Sequence, residues 1–329
     1  MKRKGFTLVE LLVVIGIIAV LMGILLPALS AVKRTAQRVV CGSNLAGIGK
    51  AILLYANEYN GEYPRAGGPG SLWGVKGYIY SWTDQSGDQY GMTPAEVTVT
   101  SSLYLLVKYM DVQPGQFVCK GDTGIKEFKL SDCSQLPPEI DDDTDVWDFG
   151  SGGGKTTTYW PGNYNSYAYH NPYENQTTTI SYALGSYSNP GSPVCADRNP
   201  YWDRNSPVYL NGKDCTGDPD EDGPSCTQTD GYKDEFKTGN AAAHQRDGQN
   251  VLFNDTHVRF ERFPNVGIGK DNIWKCWNDE TPPTTSCERE NGEKPQCNNN
   301  NANKDGDMIE FSELDAFLVS ETNFRTPNP

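Results

Sequence analysis

The sequence has little positive charge and lacks the motifs of several large enzyme classes. It contains 28 lysines and arginines against 42 aspartates and glutamates, so its formal net charge is −14. Such an acidic chain is a poor partner for nucleic acid, because the phosphates repel it. It also contains no G-x-S-x-G elbow, no phosphate-binding G-x-x-x-x-G-K-[ST] loop and no H-E-x-x-H zinc motif. We therefore expect a protein that is not an enzyme and does not bind nucleic acid.

Residues 6–29 form one long apolar run in which Glu10 is the only ionisable side chain. About 20 apolar residues are enough to cross a bilayer core as a helix. A secretory signal peptide would have a shorter apolar region, of about 7–15 residues, and no acid within it. A plain membrane anchor would leave Glu10 unexplained, because a carboxylate at the centre of a span costs on the order of 2.5–3.5 kcal/mol.

Cleavage of the chain after Gly5 would explain the acid. Phe6 would become the N-terminus, and its amine would lie about one helical turn from Glu10. A charged amine and a carboxylate in apolar surroundings each need a partner, either in the same chain or in a neighbour. The segment GFTLVELLVVI, which starts at Gly5, and Pro27 further on resemble the processing site of type IV pilins and type II secretion pseudopilins.

The resemblance implies a processed, membrane-anchored filament subunit. A prepilin peptidase would cut after Gly5 and N-methylate Phe6, and Glu10 would guide the docking of one subunit on the next. The filament would be a helical homo-oligomer that inner-membrane machinery with an ATPase assembles. The leader would lie in the cytoplasm, and the bulk of the chain would lie outside it, in the bacterial envelope or in an extracellular fibre. Loss of the leader's three basic residues would take the net charge from −14 to −17.

An apolar stripe predicts that the helix continues beyond the membrane. Its members recur at alternating spacings of four and three residues, as they do on one face of a helix. They are Cys41, Leu45, Ile48, Ile52, Tyr55 and Tyr59. Gly42, Gly47 and Gly49 weaken this helix, and Gly61 with Pro64 is expected to end it. The stripe is expected to pack against a globular domain.

The remaining composition favours short strands and long turns. The chain has 34 glycines, 21 prolines and 11% aromatic residues. We expect an α+β fold of the pilin type, in which a long N-terminal helix packs on an antiparallel sheet with a loop-rich, disulfide-containing periphery. The expected parts are a leader at 1–5, a transmembrane helix at 6–29, its amphipathic continuation at 30–60, a globular domain at 61–265 and a C-terminal extension at 266–329.

Nine cysteines in a chain that leaves the cytoplasm imply disulfides. None of them shows the tight paired spacing of a zinc site, so disulfides are favoured over thiolate ligation of a metal. Cys215 and Cys226 are the favoured local pair. Cys41 on the helix and Cys119, which follows an expected short strand at 117–118, are a possible long-range pair that would join the helix to the domain.

The middle of the chain carries a second resemblance. ADRNP at 196–200 and HQRDGQNVLFNDTHV at 244–258 are similar to the H-X9-DG prepilin-associated domain of planctomycete and verrucomicrobial pilin-like proteins. Ten residues, not nine, separate His244 from Asp255, and Thr256 replaces the glycine of the motif. The motif residues carried over to this chain are His244, Asp247, Gly248, Asp255 and His257.

The same segment predicts a β-hairpin, with a strand at 249–253, a turn at 254–256 and a returning strand at 257–263. Two interpretations of its polar residues stay open. His244, Asp247, Asp255 and His257 either make turn and cap hydrogen bonds, or they form a metal site of two imidazoles and two carboxylates.

Two acidic segments resemble the start of a calcium-binding loop. In both, oxygen ligands stand at positions one, three and five, and glycine follows at position six. The candidate ligands are Asp218, Asp220 and Asp222 in the first segment and Asn301, Asn303 and Asp305 in the second. Thr229 stands where the first loop needs an acid, and Glu313 falls one position late in the second. Calcium binding and a merely solvated acidic loop both stay open, and no cofactor is required.

The preferred function is therefore a pilin or pseudopilin subunit, of either a secretion filament or a pilus. One alternative is a membrane-displayed adhesive or carbohydrate-binding module. Its candidate contact residues are Tyr159, Trp160, Tyr201 and Trp202. A less favoured alternative is an anchored hydrolase that uses a metal held by His244, His257 and the neighbouring carboxylates.

Overall fold

The computed structural model describes residues 8–67, 72–73, 96–132, 142–150, 161–172, 183–200, 240–269, 271–274, 316 and 318–320. In these ranges the chain forms two α-helices, a five-stranded antiparallel sheet, a parallel pair of two-residue strands and several 3-10 turns. The helices and strands are α1 (Leu8–Glu58), β1 (Leu72–Trp73), β2 (Glu96–Val97), α2 (Val99–Met110), β3 (Tyr167–His170), β4 (Pro193–Asp197), β5 (Gln249–Phe253), β6 (Val258–Glu261) and β7 (Leu318–Val319). The predicted α+β class, with a long N-terminal helix on an antiparallel sheet, is confirmed.

Helix α1 is 51 residues long and continues through Pro27. Cys41, Leu45, Ile48, Ile52 and Tyr55 are buried, which confirms the predicted stripe up to that point. Tyr59 lies beyond the helix and is 39% exposed, so the prediction was wrong for this last member.

The predicted end of α1 is confirmed at Gly61. Its φ of +86° lies in the left-handed region that favours glycine. The Gly61 N–H donates to the carbonyl oxygen of Ala56 at 2.7 Å, which caps the last turn.

The five strands lie in the order β6-β5-β4-β3-β7, and every neighbouring pair is antiparallel. The predicted hairpin is confirmed as β5 and β6, with Leu252 opposite Val258 and Gln249 opposite Glu261. Strand β7 pairs with β3 and brings residues near the C-terminus into the same sheet. The returning strand ends at Glu261 rather than at residue 263.

The second half of α1 lies against this sheet, and small residues on the helix allow the close approach. A Cβ atom added at Gly49 would lie 2.7 Å from Leu252 Cδ1, and one added at Gly42 would lie 3.3 Å from Asn250 Oδ1. These glycines lower the intrinsic helix propensity, but they also remove the atoms that would hold the sheet away.

Helix α2 also packs against α1. Thr98 caps its N-terminus by accepting a hydrogen bond from the Ser101 N–H at 3.1 Å, and Asp148 accepts from the Thr98 hydroxyl at 2.5 Å. Residues 114–117 then form a 3-10 turn, so the short strand expected at 117–118 was wrong. Pro114 explains the turn, because its fixed φ suits the first position of a helical segment.

Candidate functional site

The first half of α1 has no cover within the part of the chain that the structure describes. Every leucine, isoleucine and valine from Leu8 to Leu29 is exposed. This is the one helix in the described ranges that is long and apolar enough to cross a membrane. So large an apolar surface needs lipid or another protein around it.

Glu10 lies in the first turn of α1. Its predicted partner, the amine of Phe6, and the cleavage position at Gly5 lie outside the described residues. The pairing of this carboxylate with an N-terminal amine therefore stays a prediction.

A set of polar contacts lies on one face of α1 where the helix meets the domain, and we call it the collar. Arg38 forms an ion pair with Asp247, and its guanidinium also lies 4.5 Å from the centre of the Phe260 ring. Arg34 donates to Gln245 Oε1 at 2.9 Å. The collar also contains Gln37, which donates to the carbonyl oxygen of Lys120 at 2.9 Å.

Just beyond the collar, a disulfide joins Cys41 on α1 to Cys119. It confirms the possible long-range pairing that the sequence left open. The bond links residues 78 positions apart, and both cysteines are fully buried. On the chain-entropy model a loop of this length is worth about 4.5 kcal/mol to the folded state.

His244 lies beside this disulfide in a fully buried polar group. Its Nε2 atom is 3.6 Å from Cys119 Sγ, 3.3 Å from Asp197 Oδ2 and 3.1 Å from Asn250 Nδ2. Asp197 Oδ2 also accepts a hydrogen bond from the Asn250 backbone N–H at 2.6 Å. We call Cys41, Cys119, Asp197, His244 and Asn250 the junction cluster.

The backbone around His244 is bent to hold it there. Gln245 and Arg246 have φ angles of +58° and +61°, and Gly248 has a φ of +147°. A Cβ atom at Gly121 would lie 2.2 Å from the Ala243 carbonyl oxygen, so a glycine is needed where the Cys119 loop meets the turn. The turn and the loop together place the imidazole against the sulfur.

Residues 1–26 match the model of the prokaryotic N-terminal methylation motif. No curated protein and no solved structure shows significant similarity to the chain. The matched segment contains Gly5, Phe6 and Glu10, and it supports a type IV pilin-like or pseudopilin subunit. It implies processing by prepilin peptidase and assembly with other pilin subunits, and the apolar α1 fits membrane anchoring. A prepilin-type signal also indicates a structural subunit rather than an enzyme.

The structure does not bring together the four residues of the metal site suggested by the hairpin sequence. His244 belongs to the junction cluster, and Asp247 pairs with Arg38 in the collar. Asp255 and His257 pair with each other at the exposed hairpin turn. The prediction of one site with two imidazoles and two carboxylates was therefore wrong. The hydrolase alternative loses the residues on which it was based and stays a prediction.

The hairpin turn instead makes the expected local hydrogen bonds. Asp255 Oδ1 accepts from the His257 backbone N–H at 3.1 Å, and the imidazole stacks on Phe253 with 4.4 Å between ring centres. The backbone hydrogen bond, together with the contact to the imidazole, lowers the pKa of Asp255. Gly248 has a φ of +147°, which residues with a side chain rarely adopt, and this explains the glycine at this motif position.

Several other predicted residues lie outside the described ranges. These are the candidate calcium ligands Asp218, Asp220, Asp222, Asn301, Asn303 and Asp305, the cysteine pair Cys215 and Cys226, and the candidate carbohydrate contacts Tyr159, Trp160, Tyr201 and Trp202. Calcium binding and this second disulfide stay predictions. The H-X9-DG resemblance stays a prediction too, because the matched family model covers residues 1–26 alone.

The sequence did not predict that Asp197 and Asn250 belong with His244. Both occur in the segments that resemble the H-X9-DG domain, but only the register of β4 against β5 makes them neighbours. That register places Ala196 opposite Val251. The signal was therefore present as residue types, and the missing information was the strand pairing.

Proposed function

We propose that this chain is a structural subunit of a type IV pilus-like or type II secretion filament. It is cut after Gly5, N-methylated at Phe6 and assembled through its N-terminal helix. The observation that carries this proposal is the combination of the matched methylation motif with a helix whose first half is uncovered and whose second half is fixed to the domain.

The uncovered half explains how one helix serves both as anchor and as assembly element. Lipid covers residues 8–29 in the membrane, and the same surface packs on the helices of neighbouring subunits in the filament. Exchanging lipid for protein contacts gives little net hydrophobic gain, because lipid tails are as apolar as the side chains. Assembly therefore needs ATP-driven machinery to extract the subunit.

Glu10 supplies the specific contact in this exchange. A carboxylate in an apolar helix bundle is stabilised by an opposite charge, and the methylated amine of Phe6 on a docking subunit provides one. Breaking such a pair by removing one partner leaves an uncompensated charge that costs about 3–5 kcal/mol when buried. The pair favours docking in the correct axial register.

The fixed half ensures that the domain follows the helix. The Cys41–Cys119 disulfide and the ion pair of Arg38 with Asp247 hold the domain to α1. The two contacts lie about one helical turn apart on the helix. A pull on the helix is therefore transmitted to the whole subunit.

Replacing Glu10 separates assembly from anchoring. Glu10→Leu makes the span more apolar, so the variant is expected to insert and be cleaved normally but to be absent from sheared filaments. Glu10→Asp keeps the charge and is the matched control, with filaments retained at a reduced level. The measurement is the share of the chain in the membrane and filament fractions. Normal assembly of Glu10→Leu would remove the docking role of this carboxylate.

A partly exposed group of aromatic rings, in which Tyr59 and Tyr109 are the exposed members, supports a second candidate function, that of a carbohydrate-binding module. Tyr59 stacks on Tyr55 with 4.1 Å between ring centres, and Tyr109 lies 6.2 Å from Tyr59 and 6.5 Å from Trp147. Exposed rings of this kind offer flat apolar faces with polar edges, as sugar binding requires. Full-length chain in detergent, screened against glycans with Tyr59→Ala and with Phe263→Ala as an exposed control, tests it. Binding that is absent, or equal in both variants, would exclude this surface.

A further inference from the structure

Three side chains that commonly bind zinc converge at the junction cluster. Cys41 Sγ, Cys119 Sγ and His244 Nε2 all lie within 4.8 Å of one another, and all three residues are buried. A carboxylate oxygen of Asp197 lies 3.3 Å from the same imidazole nitrogen. Two sulfurs, an imidazole and a carboxylate make a complete set of four donors of the kinds that zinc takes in proteins.

Two of the distances between these donors match a tetrahedral site. With zinc–sulfur bonds of about 2.3 Å and zinc–nitrogen or zinc–oxygen bonds of about 2.0–2.1 Å, a tetrahedron has nitrogen–sulfur edges of about 3.5 Å and nitrogen–oxygen edges of about 3.3 Å. The corresponding distances are 3.6 Å from His244 Nε2 to Cys119 Sγ and 3.3 Å from His244 Nε2 to Asp197 Oδ2. Two edges of the site are therefore already in place.

Hydrogen bonding alone accounts poorly for this arrangement. One imidazole nitrogen faces a carboxylate oxygen, an amide nitrogen and a sulfur, although it carries only one proton or one lone pair. Asp197 is fully buried, and its Oδ1 atom has no hydrogen-bond partner in the described part of the chain. A buried carboxylate normally has both oxygens satisfied or coordinates a metal.

We propose that Cys41, Cys119, His244 and Asp197 form a zinc site in the reduced chain, and that the Cys41–Cys119 disulfide replaces this site on oxidation. The chain is synthesised with both cysteines as thiols, so metal binding and oxidation compete for the same two sulfurs. Zinc binding forms two zinc–sulfur bonds and releases the two thiol protons.

Oxidation proceeds by exchange with a disulfide of a thiol oxidoreductase. That partner's S–S bond breaks and the Cys41–Cys119 bond forms, so two electrons pass from the chain to the partner. The partner becomes a dithiol. When zinc binding has already released the protons of Cys41 and Cys119, the partner takes its two protons from the solvent. Oxidation removes both sulfur ligands, so only His244 and Asp197 still hold the zinc ion, and it dissociates.

Both states tie α1 to the domain at the same position. Cys41 is on α1, whereas the other three ligands come from the Cys119 loop, the end of β4 and the turn before β5. The metal therefore holds the helix on the sheet before oxidation, and the disulfide holds it afterwards.

Cobalt titration of the full-length chain in detergent tests the proposal. The chain is reduced with a phosphine, which is itself oxidised with oxygen from water, and is then freed of metal by chelation. One equivalent of Co²⁺ is expected to give a thiolate-to-cobalt charge-transfer band and the intense visible bands of a tetrahedral site, and Zn²⁺ is expected to abolish both. The oxidised chain is expected to give neither band.

Variants decide whether these bands come from the junction cluster. Cys119→Ser is expected to remove them, and His244→Gln and Asp197→Asn are each expected to weaken binding at least about tenfold. Cys195→Ser is the matched control, because Cys195 is a buried free cysteine on β4, and it is expected to bind cobalt as the parent does. Detection of the Cys41–Cys119 disulfide in oxidised samples of His244→Gln and Asp197→Asn verifies that these variants fold.

Two results would overturn the assignment. One is a reduced parent chain that gives no cobalt bands. The other is a set of bands that persists in Cys119→Ser, or is unchanged in both His244→Gln and Asp197→Asn, because the metal would then be held by thiols elsewhere in the chain.

Discussion

The two halves of α1 have similar apolar side chains but opposite surroundings. Leu21 in the first half is 54% exposed, whereas Leu45 in the second half is fully buried. The first half is apolar on all sides, and the second presents a stripe that matches the sheet and α2. An apolar stripe on one face of a helix can be covered by its own chain, whereas a helix that is apolar on all sides needs lipid or other proteins around it.

Glycine has a different meaning in the two halves. A Cβ atom at Gly16 or Gly23 would meet nothing within 4 Å, but one at Gly49 would collide with Leu252. Among the described residues, nothing restricts Gly16 or Gly23, whereas Gly49 is fixed by packing. The membrane and neighbouring subunits are the expected source of any constraint on the two glycines of the first half.

The largest effect is expected from truncating a leucine in each half. Leu45→Ala leaves a cavity between α1 and the sheet and is expected to lower the free energy of unfolding of the domain by about 2–5 kcal/mol. Leu25→Ala is the matched change in the first half and is expected to alter it by less than about 0.5 kcal/mol. Denaturant unfolding of the detergent-solubilised chain, followed by tryptophan fluorescence, measures both. Equal losses would mean that the first half also packs on the domain.

The next largest effect is expected from replacing a glycine in each half, which tests how closely α1 approaches β5. Alanine in place of glycine gains up to about 1 kcal/mol of helix propensity at either position. Gly49→Ala also forces Leu252, which is fully buried, to move, and such overpacking costs about 1–3 kcal/mol. We expect thermal unfolding to show that Gly49→Ala lowers the free energy of unfolding by up to about 2 kcal/mol and that Gly16→Ala does not lower it. A stabilised Gly49→Ala would contradict the close contact between α1 and β5.

A smaller effect is expected at the collar, where the two halves meet. Arg38 pairs with Asp247 and covers Phe260, but both charged side chains are partly exposed to solvent. Arg38→Ala is therefore expected to lower the free energy of unfolding by about 1 kcal/mol, and the difference from the parent should shrink at high salt. Arg34→Ala removes only the exposed hydrogen bond to Gln245 and is the control, with a loss of a few tenths of a kcal/mol. Identical losses of unfolding free energy in the two variants would mean that the ion pair contributes no more to the attachment of α1 than one exposed hydrogen bond does.

The smallest effect is expected at the hairpin turn, where the side chains of Asp255 and His257 are both exposed. The folded-state pKa of Asp255 is lowered, so its contribution to stability is present above the usual aspartate pKa and is lost as pH falls through the lowered value. The difference in melting temperature between the parent and Asp255→Asn is therefore expected to be small at neutral pH and to vanish in acid. A difference that grows in acid would have the wrong sign for this pair.

Residue patterns were sufficient to predict the parts of the molecule that depend on local sequence. The spacing from Cys41 to Tyr55 predicted the buried face of α1, and the residues at 249–263 predicted the hairpin, whose second strand ends at Glu261. Tyr59 failed because the chain leaves the helix at Glu58, and the turn at Pro114 replaced an expected strand. These failures lie at the ends of elements, where capping overrides periodicity.

The junction cluster could not be predicted in the same way. Its members come from four separate segments, and their contact depends on the pairing of β4 with β5 and on the positive φ angles after His244. The sequence supplied the residue types and one possible disulfide. Of its two interpretations of His244, the metal site grouped this residue with Asp255 and His257, from which the structure separates it. Long-range register is a property of the assembled sheet and leaves no short-range signal.

The central claim is that the uncovered half of α1 is an assembly helix prepared by processing. Mass spectrometry of the N-terminal peptide, from chain isolated out of the cell envelope, tests it most directly. The account predicts a mature chain that begins at Phe6 and carries one N-methyl group. A chain that retains Met1, or one that begins at Ala31 as after signal-peptide cleavage, would contradict it.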